Sequence, residues 1–353
     1  MNFDASSPPI LVTGASGLIG SRLCAALAPR GPVVALDKDE PKRRVAAIDF
    51  VRCDLTSDAE VERALGEIRA RHGGALTSVV HLAAYYDFSG EPSPLYETLT
   101  VEGTRRLLDG LSRFHVEQFL FSSSMLVMRP AEPGQMIDET SPVGAEWDYP
   151  RSKLAAEQVI AQRHGRIPVV ILRIAGVYDE DCHSIPIAQH IRRIREKKLE
   201  SYLLPGDPDH GQAFLHLDDL IDCIERVIAR RKDLGSFQVF LVAEPELMTY
   251  RELQHRIGMR LHGKEWPTIR IPAAVAKAGA WIKDKLSTGE GQFIKPWMID
   301  LADDHYPISI ARARERLGFE PKRRLRTTLE VMLDRMVADP RGWYERNGLP
   351  YPD

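Results

Sequence analysis

The sequence predicts an α/β protein built on a doubly wound parallel sheet. Through the first half of the chain, short runs of β-branched residues alternate with longer segments of helical periodicity, which is the pattern of βαβ units. A glycine-rich turn follows the first of these runs directly, and the second run ends on an acidic residue. Together these three observations predict a Rossmann-type sheet.

The β-branched runs give the expected strands in chain order. They cover residues 10–12, 33–36, 49–53, 78–82, 118–122 and 169–172. Helices are expected between them, where apolar residues recur at helical spacing over 57–71, 94–114 and 149–164. After Gly176 the alternation breaks, and prolines separate segments of irregular length. One further strand, at 237–242, is expected to return to the main sheet.

The length of 353 residues favours two lobes, because one domain takes roughly 150 residues. We expect residues 1–8 to form a flexible N-terminal tail and residues 9–178 to form a Rossmann domain. Residues 179–353 are then expected to form mainly a smaller C-terminal lobe and the C-terminal helices.

The composition excludes several classes of protein. Apolar residues make up 44% and charged residues 27% of the chain, which is close to the average for a globular domain and unlike a disordered, collagenous or coiled-coil protein. Lys and Arg number 47 against 50 Asp and Glu, so no surplus of positive charge indicates nucleic-acid binding. No apolar run reaches the roughly 18 residues of a membrane-spanning helix, so no integral membrane segment is expected. The alanine-rich stretch 272–286 could lie on a membrane surface, but packing against the protein is favoured.

The cysteines favour a reducing compartment. They lie far apart and form no C-x-x-C pair, at Cys24, Cys53, Cys182 and Cys223. Such cysteines build neither a disulfide framework nor a zinc ligand set. The first ten residues lack the pattern of a signal peptide, so the predicted location is the cytoplasm. The gap between His183 and His190 is not a standard zinc spacing, and no metal site is expected.

The glycine-rich turn is the first candidate site. Residues 13–20 read TGASGLIG, a G-x-x-G-x-x-G between an apolar strand and an amphipathic helix. Glycines at these positions let the backbone turn tightly and approach a pyrophosphate, whose charge lies at the N-terminus of the following helix. The expected cofactor contacts in this loop are Gly14, Ser16, Gly17, Leu18, Ile19 and Gly20.

The acid that ends the second strand is Asp37, twenty residues after Gly17. A carboxylate at this point accepts hydrogen bonds from the ribose hydroxyls and repels a 2′-phosphate, so it favours NAD over NADP. Lys38, Arg43 and Arg44 follow closely, and they keep NADP as an alternative.

Two further segments fit the same cofactor. Asp54 and Leu55 follow the third strand, where the carboxylate could reach an adenine amino group. Leu82, Ala83 and Ala84 follow the fourth strand, and small residues there let a cofactor lie against the backbone. We therefore expect both segments to bind the dinucleotide.

Tyr149 and Lys153 open a predicted helix and project from one face of it, because they are four positions apart. A free tyrosine has a pKa of about 10, but an adjacent ammonium, together with oxidised nicotinamide, favours the phenolate and makes proton transfer feasible. Lys153 can also hold the nicotinamide ribose. The serines at 122–124 end the fifth strand, where an open α/β sheet places its ligand crevice. They could hydrogen-bond a reacting oxygen or simply cap a loop.

In this order the motifs resemble the extended short-chain dehydrogenase/reductase superfamily, in its NAD-dependent epimerase/dehydratase branch. The resemblance rests on TGASGLIG, Asp37, the CDL and HLAA segments, FSSSMLV, YPRSK, LRIAGVY and FLHLDD, and it runs from about residue 9 to residue 335. It implies NAD as cofactor, a C-terminal lobe that closes over a small-molecule substrate, and a homodimer. It also implies that Ser124, Tyr149 and Lys153 are the catalytic trio. The motifs and the resemblance thus assign NAD and the catalytic residues to the first lobe and the substrate mainly to the second.

The chemistry implied by the resemblance begins with Tyr149, which takes a hydroxyl proton as hydride leaves the substrate carbon for nicotinamide. The ketone then leaves in a simple dehydrogenase, or is reduced again in an epimerase or dehydratase. The sequence leaves these outcomes open. The residues expected to contact the substrate are Tyr85, Asp87, Ser124, Tyr178 and Gln212.

Several positions depart from the pattern of nucleotide-sugar epimerases. Gln212 stands where these enzymes typically place an arginine for the substrate diphosphate, and it loses a charge-assisted contact. Three acids at 179–181 would repel a diphosphate unless they point away. Thr100 stands in place of the usual Asn. The run YYDF at 85–88 resembles the 3β-hydroxysteroid dehydrogenase and dihydroflavonol reductase branches, and it could line an apolar pocket or belong to the core.

Three hypotheses about function follow. The leading one is an NAD-dependent oxidoreductase or epimerase that acts on a secondary alcohol or ketone of a sugar nucleotide or a related compound. The first alternative is a dehydrogenase of an apolar hydroxyl compound. The second is a non-catalytic dinucleotide-binding sensor or scaffold, which the presence of Ser124, Tyr149 and Lys153 disfavours.

Overall fold

The computed structural model describes residues 7–41, 45–87, 91–132, 134–286 and 296–352. Most of the predicted tail, residues 1–6, lies outside the described residues, as do Arg43, Arg44 and Phe88. Pro8 is already tied to the body of the protein, because its carbonyl accepts a hydrogen bond from the Thr77 hydroxyl at 2.6 Å.

The strands are short and most of them are apolar. In chain order they are β1 (Ile10–Thr13), β2 (Val33–Asp37), β3 (Ile48–Arg52), β4 (Ala75–Leu76), β5 (Ser78–His81), β6 (His115–Val116), β7 (Phe119–Ser124), β8 (Val169–Ile174), β9 (Gly176–Tyr178), β10 (Leu203–Leu204), β11 (Gly211–Gln212), β12 (Phe214–His216), β13 (Phe237–Val242), β14 (Met248–Thr249) and β15 (Ile269–Arg270).

The helices alternate with these strands in the first half of the chain and cluster in the second half. In chain order they are α1 (Leu18–Leu27), α2 (Asp58–His72), α3 (Glu102–Leu111), α4 (Asp148–Arg163), α5 (Ile185–Arg195), α6 (Leu217–Ala229), α7 (Tyr250–His262), α8 (Ala273–Leu286), α9 (Pro296–Asp300), α10 (Ala311–Leu317), α11 (Leu325–Ala338) and α12 (Pro340–Arg346).

Seven strands of the described chain form one parallel sheet in the order β13-β8-β7-β5-β1-β2-β3. The late strand β13 returns to this sheet and pairs with β8, with Phe237 opposite Val169. The strand order reverses between β1 and β5, and an open α/β sheet has its ligand crevice at the carboxyl ends of such strands. The predicted fold class is confirmed.

Helices cover both faces of the sheet. Ile10 and Val12 of β1 pack in one apolar core with α1 and α6, whereas Leu11 packs in a second core with α2, α3 and α4. Successive side chains of a strand point to opposite faces. A strand that is buried on both faces therefore consists of apolar residues without alternation, which is why the first strand could be predicted from sequence.

The predicted helix over 94–114 is interrupted. Tyr96–Val101 forms a π-helical turn, and the α-helix begins only at Glu102. The wider turn places the Thr100 hydroxyl where it accepts a hydrogen bond from the backbone N–H of Tyr85 at 3.0 Å. Such turns are common next to functional sites. Apolar periodicity does not distinguish this turn from an ordinary α-helical one.

The second lobe has its own core, formed mainly by α5, α7, α11 and α12. The second half of the chain contributes to both parts of the molecule, because α6 and α10 pack with the sheet. In the alanine-rich stretch, Trp281 is 56% exposed. Among the described helices, none is long and apolar enough to cross a membrane.

Candidate active site

The glycine-rich loop packs tightly against the end of β5. Gly14 has a φ of +67°, and a Cβ on it would lie 2.7 Å from the backbone nitrogen of Ala83. A Cβ on Gly20 would overlap the carbonyl oxygen of Gly14. Only glycine fits both positions without displacing backbone. The loop therefore packs closely against the end of the sheet, and the space above the loop is open to a ligand.

The N-terminus of α1 faces this space and is not capped by a side chain. Gly17 is the N-cap residue, with no side-chain hydrogen bond and no acid in the first turn of the helix. Free N–H groups at a helix N-terminus attract an anion. Leu18 and Ile19 line the same cavity of about 560 Å³. This arrangement fits the pyrophosphate of a dinucleotide.

Asp37 lies at the carboxyl end of β2 and is held by backbone groups. Its Oδ2 accepts a hydrogen bond from the backbone N–H of Ser16 at 2.9 Å, and its Oδ1 accepts one from Asp39 at 3.2 Å. The Ser16 hydroxyl donates to the carbonyl of Asp39 at 2.6 Å. The acid is thus joined directly to the glycine-rich loop, as a ribose-binding residue must be.

Asp54 and Leu55, which follow β3, lie closer to the apolar core than the sequence indicated. The Oδ1 of Asp54 accepts two hydrogen bonds from Thr56, from its N–H and its hydroxyl, both at 2.8 Å. Leu55 is 3% exposed and belongs to the core beneath α2 and α3. Asp54 therefore organises the turn, and neither residue lines the cavity of Ser124, Tyr149 and Lys153. That the pair binds adenine stays a prediction.

The strand ends on either side of the crevice are joined through a buried histidine. The Thr104 hydroxyl donates to the carbonyl of Thr100 at 2.6 Å, so it accepts from Nε2 of His81 at 2.9 Å. Nδ1 of His81 then accepts from the hydroxyl of Thr13 at 2.6 Å. Burial, together with the charge of Lys153, lowers the pKa of His81 to about 3. This neutral histidine fixes the strand ends that carry Leu82, Ala83 and Ala84.

The predicted trio lies together at the carboxyl ends of β7 and the start of α4. Ser124, Tyr149 and Lys153 line one cavity. Nζ of Lys153 lies 5.9 Å from the centre of the Tyr149 ring and donates to the carbonyl of Ser122 at 2.6 Å. Side chains four positions apart on a helix reach the same side, and the end of β7 supplies the serine.

The protonation states of the trio depend on burial. Burial raises the pKa of Tyr149, and the Ser124 hydroxyl opposes that rise. Burial lowers the pKa of Lys153 to about 7, and the nearby carboxylate of Glu157 opposes that fall. The phenol is therefore protonated in the protein alone. A positive charge beside the phenol would favour the phenolate.

A buried ion pair lies directly below the trio, and the sequence analysis missed it. The guanidinium of Arg173 contacts both carboxylate oxygens of Glu157, at 3.1 Å and 2.7 Å. The Ser123 hydroxyl donates to the same carboxylate at 2.5 Å. Glu157 lies four residues after Lys153 on α4. The four-residue spacing of Lys153 and Glu157 could have indicated this contact from the sequence, because it places both side chains on one helix face.

The aromatic residues after β5 divide between the cavity and the body of the protein. The ring of Tyr86 lies edge-on to Tyr149, with centroids 4.8 Å apart, and lines the cavity. Tyr85 packs edge-on to Tyr96 instead, and its hydroxyl donates to Asp87 at 3.4 Å. The structure therefore brings Tyr86 to the trio, whereas Tyr85 and Asp87, which were the predicted contacts, are not among the residues that line this cavity.

Tyr178 does not line the cavity. Its side chain is fully buried in the core of the second lobe and packs edge-on to His216. Its hydroxyl donates to Glu244 at 3.5 Å. His216 caps α6 by accepting from the N–H of Asp218 at 3.1 Å. These two residues join the lobe to the sheet. Gln212, by contrast, lines the cavity as predicted.

The three acids at 179–181 are turned away from the cavity. Asp179 accepts from the ring of His183 at 2.7 Å, and this contact and backbone N–H groups hold its pKa below the usual range despite burial. Asp181 pairs with Arg335 at 2.8 Å, and Glu180 lies 3.3 Å from His216. They do not repel a substrate in the way that the sequence suggested.

A second chamber opens from the cavity into the C-terminal lobe. It has a volume of about 310 Å³ and is lined mainly by apolar side chains. The residues that line both spaces are Leu126, Pro186, Gln212 and Phe214. An apolar chamber with a few polar groups is typical of a small-molecule site, and this one adjoins the cavity lined by Ser124, Tyr149 and Lys153.

The profile of the NAD dependent epimerase/dehydratase family matches residues 10–243. The chain belongs to this family. Its membership confirms the predicted superfamily, an enzymatic function and NAD as the cofactor. The match covers the glycine-rich loop, the trio and the strand β13 that returns to the sheet.

Two curated relatives match over nearly the whole chain. Short-chain dehydrogenase/reductase family 42E member 1 of Danio rerio is 25% identical over 91% of this chain and 87% of its own length. A decarboxylating sterol-4-alpha-carboxylate 3-dehydrogenase of Candida albicans is 24% identical over 94% of this chain and 98% of its own length. Both are similar proteins that differ from this chain at three positions in four.

The structures of nucleotide-sugar enzymes share the fold. The UDP-glucose 4-epimerase of Thermus thermophilus, solved in complex with NAD, superposes with a TM-score of 0.69 over 94% of this chain and 99% of its own. Its sequence is 23% identical. At this level of identity the likeness establishes a common architecture.

Proposed function

We propose that this enzyme oxidises a secondary alcohol on a largely apolar molecule, with NAD as the hydride acceptor and Ser124, Tyr149 and Lys153 as the catalytic trio. The observation that carries the proposal is the apolar chamber that continues from the cavity of the trio. A curated relative of full length is named as a sterol dehydrogenase, which supports the same substrate class.

The proposed reaction transfers a hydride and a proton from the alcohol. Tyr149, as the phenolate, takes the hydroxyl proton, and Ser124 holds the oxygen by a hydrogen bond. NAD, when bound, would supply the hydride acceptor, so that the alcohol carbon becomes a ketone and the nicotinamide is reduced. Lys153 favours the phenolate by its positive charge.

The cofactor is held, in this proposal, by the groups that line the crevice. The N–H groups of the glycine-rich loop and α1 would hold the pyrophosphate. Asp37, whose carboxylate is already oriented by Ser16, would bind the ribose of adenosine. Lys153 holds the ribose of nicotinamide. Leu82 and Ala84 line the cavity and form the surface against which the dinucleotide would lie.

A second candidate is the epimerisation of a nucleotide sugar. It is favoured by the orientation of the acids at 179–181, which are paired with neighbouring side chains and leave the cavity free of their charge. Gln212 speaks against it, because an amide replaces the charged contact to a diphosphate. In this second case NAD stays bound through the cycle.

The test compares two substrate panels, 3β-hydroxysteroids and UDP-sugars, by the absorbance of reduced nicotinamide and by the epimer ratio. We expect turnover of the steroids, and its loss by at least about a thousandfold in Tyr149→Phe. Tyr351→Phe, which removes a hydroxyl from an exposed tyrosine, serves as control. Epimerisation of a UDP-sugar without net reduction of NAD would replace this proposal by the second candidate.

A homodimer and a cytoplasmic location stay predictions. The location is supported by the cysteines, since Cys24, Cys53, Cys182 and Cys223 are all free and buried, as is usual in a reducing compartment. Sedimentation analysis of the purified chain tests the dimer.

A further inference from the structure

The chamber of the second lobe contains a guanidinium that pairs with no carboxylate among the described residues. Arg193 of α5 lines the chamber. Within the described part of the chain, it makes one hydrogen bond, from Nη2 to Nδ1 of His190 at 3.2 Å, and its Nε is buried without a partner. The adjacent Arg192, in contrast, pairs with Glu196 at 2.9 Å.

His190 orients this guanidinium and does not neutralise it. The side chain of His190 is 3% exposed, and its ring lies edge-on to Tyr250 with centroids 5.0 Å apart. Burial and the charge of Arg193 lower the pKa of His190 to about 3, so the ring is neutral and its Nδ1 accepts the hydrogen bond. A side-chain contact with Gln254 opposes this fall in the pKa of His190.

An uncompensated guanidinium in such a place is unfavourable for folding. Burial of a charged group without a counter-ion is unfavourable, and burial lowers the pKa of Arg193. Residues that bind ligands often carry such a cost, because the ligand supplies the missing partner. The geometry therefore indicates a site for an anion.

The chamber fits an anion of one charge. Among the described residues that line it, Arg193 is the single arginine or lysine. The carboxylates on its walls belong to Glu146, Glu200, Asp207 and Asp304. Among the described residues, none of these four carboxylates forms an ion pair with Arg193 within 4.0 Å. A diphosphate would bring two or more negative charges toward four carboxylates and one guanidinium, whereas a single carboxylate on an apolar body brings one charge and is repelled less.

We propose that Arg193 binds a carboxylate at the end of the substrate remote from the reacting hydroxyl, so that the substrate class is an apolar hydroxy acid. The inference rests on the proposed function for the position of the hydroxyl. Tyr149 lines the cavity and Arg193 lines the chamber, and the two spaces share a wall at Gln212 and Phe214. A molecule that spans both reaches both residues. Arg193 is then a residue that determines specificity.

The experiment uses 3β-hydroxycholenoate, a hydroxysteroid with a side-chain carboxylate, and its methyl ester. With the wild type we expect a higher kcat/KM for the acid. Arg193→Gln is expected to lower kcat/KM for the acid by about ten- to hundredfold, mainly through KM, and to leave the ester unchanged. Arg193→Lys restores part of the loss, and Arg192→Gln, which changes the adjacent paired arginine, alters neither substrate.

Binding without turnover separates this inference from the proposed function. The acid is expected to raise the Tm of the wild type more than the ester does, and Arg193→Gln is expected to abolish that difference while raising the Tm of the ligand-free protein. Equal effects of acid and ester overturn the inference, as does Arg193-dependent stabilisation by UDP instead of the acid. If the acid binds through Arg193 but neither steroid reduces NAD, the proposed function fails and the anion site stands.

Discussion

The ammonium of Lys153 donates a hydrogen bond to the backbone carbonyl of Ser122 at 2.6 Å. Ser122 lies two positions before Ser124 on β7, and Lys153 lies four positions after Tyr149 on α4. One contact between a helix and a strand end therefore sets the positions of all three members of the trio. The same contact holds the ammonium of Lys153 in a buried position. The protonation of Lys153 therefore affects the stability of the protein and can be measured through it.

Lys153 makes the stability of the protein depend on pH. Burial lowers its pKa from an ordinary value of 10.5 to about 7, so between these values the unfolded chain binds more protons than the folded protein. Stability therefore rises with pH in this window. Urea denaturation across the window is expected to show the free energy of unfolding of the wild type rising relative to Lys153→Met. Parallel curves for the two proteins would contradict this. Lys198→Met, at an exposed lysine, is the control.

The ion pair below the trio is expected to be costly to break. Glu157→Gln leaves the buried guanidinium of Arg173 without its carboxylate, and the free energy of unfolding is expected to fall by about 3 to 5 kcal/mol. Adding Arg173→Met to this variant is expected to recover part of the loss. The control is Glu67→Gln, because the partners of Glu67 on α2 are exposed arginines, and its cost is about 0 to 1 kcal/mol. Equal losses in both variants would refute the assignment.

Asp37 is expected to select the cofactor. Asp37→Ala removes a carboxylate that the backbone N–H of Ser16 holds in place, and NAD is expected to bind about ten- to hundredfold more weakly. The preference for NAD over NADP falls as well, because the repulsion of the 2′-phosphate is lost. Titration of each cofactor measures both effects. Asp39→Ala keeps the carbonyl that accepts from Ser16 and is expected to bind NAD normally.

The sheet and the trio could be predicted because their signals are local in the sequence. A glycine-rich turn needs its neighbours on both sides, and Y-x-x-x-K needs only one turn of helix. Asp54 illustrates the limit of such reasoning. It follows a strand at the edge of the same sheet, but its carboxylate is used by Thr56, two residues later. Whether a polar side chain is free for a ligand depends on such partners.

Partners that are distant in sequence account for the other differences. The charge on Asp181 is balanced by Arg335, 154 residues away, so the acidic run gave a misleading picture of the cavity. No local pattern in the sequence indicates that Arg193 forms no ion pair among the described residues, since its neighbour Arg192 is paired. In the loop after β5, no periodic element tells which of two adjacent tyrosines faces the cavity.

Tyr86 is expected to bind the substrate, because its ring packs edge-on against Tyr149 at 4.8 Å and lines the cavity. An aromatic ring that is partly covered by an apolar substrate contributes about 0.5 to 1.5 kcal/mol through the apolar area removed from water. Tyr86→Ala is therefore expected to raise KM for a 3β-hydroxysteroid by about two- to tenfold, while KM for NAD is unchanged, in steady-state kinetics with each reactant varied in turn. Tyr86→Phe keeps the ring and is expected to behave like the wild type. A rise in KM for NAD in Tyr86→Ala would instead assign this residue to the cofactor.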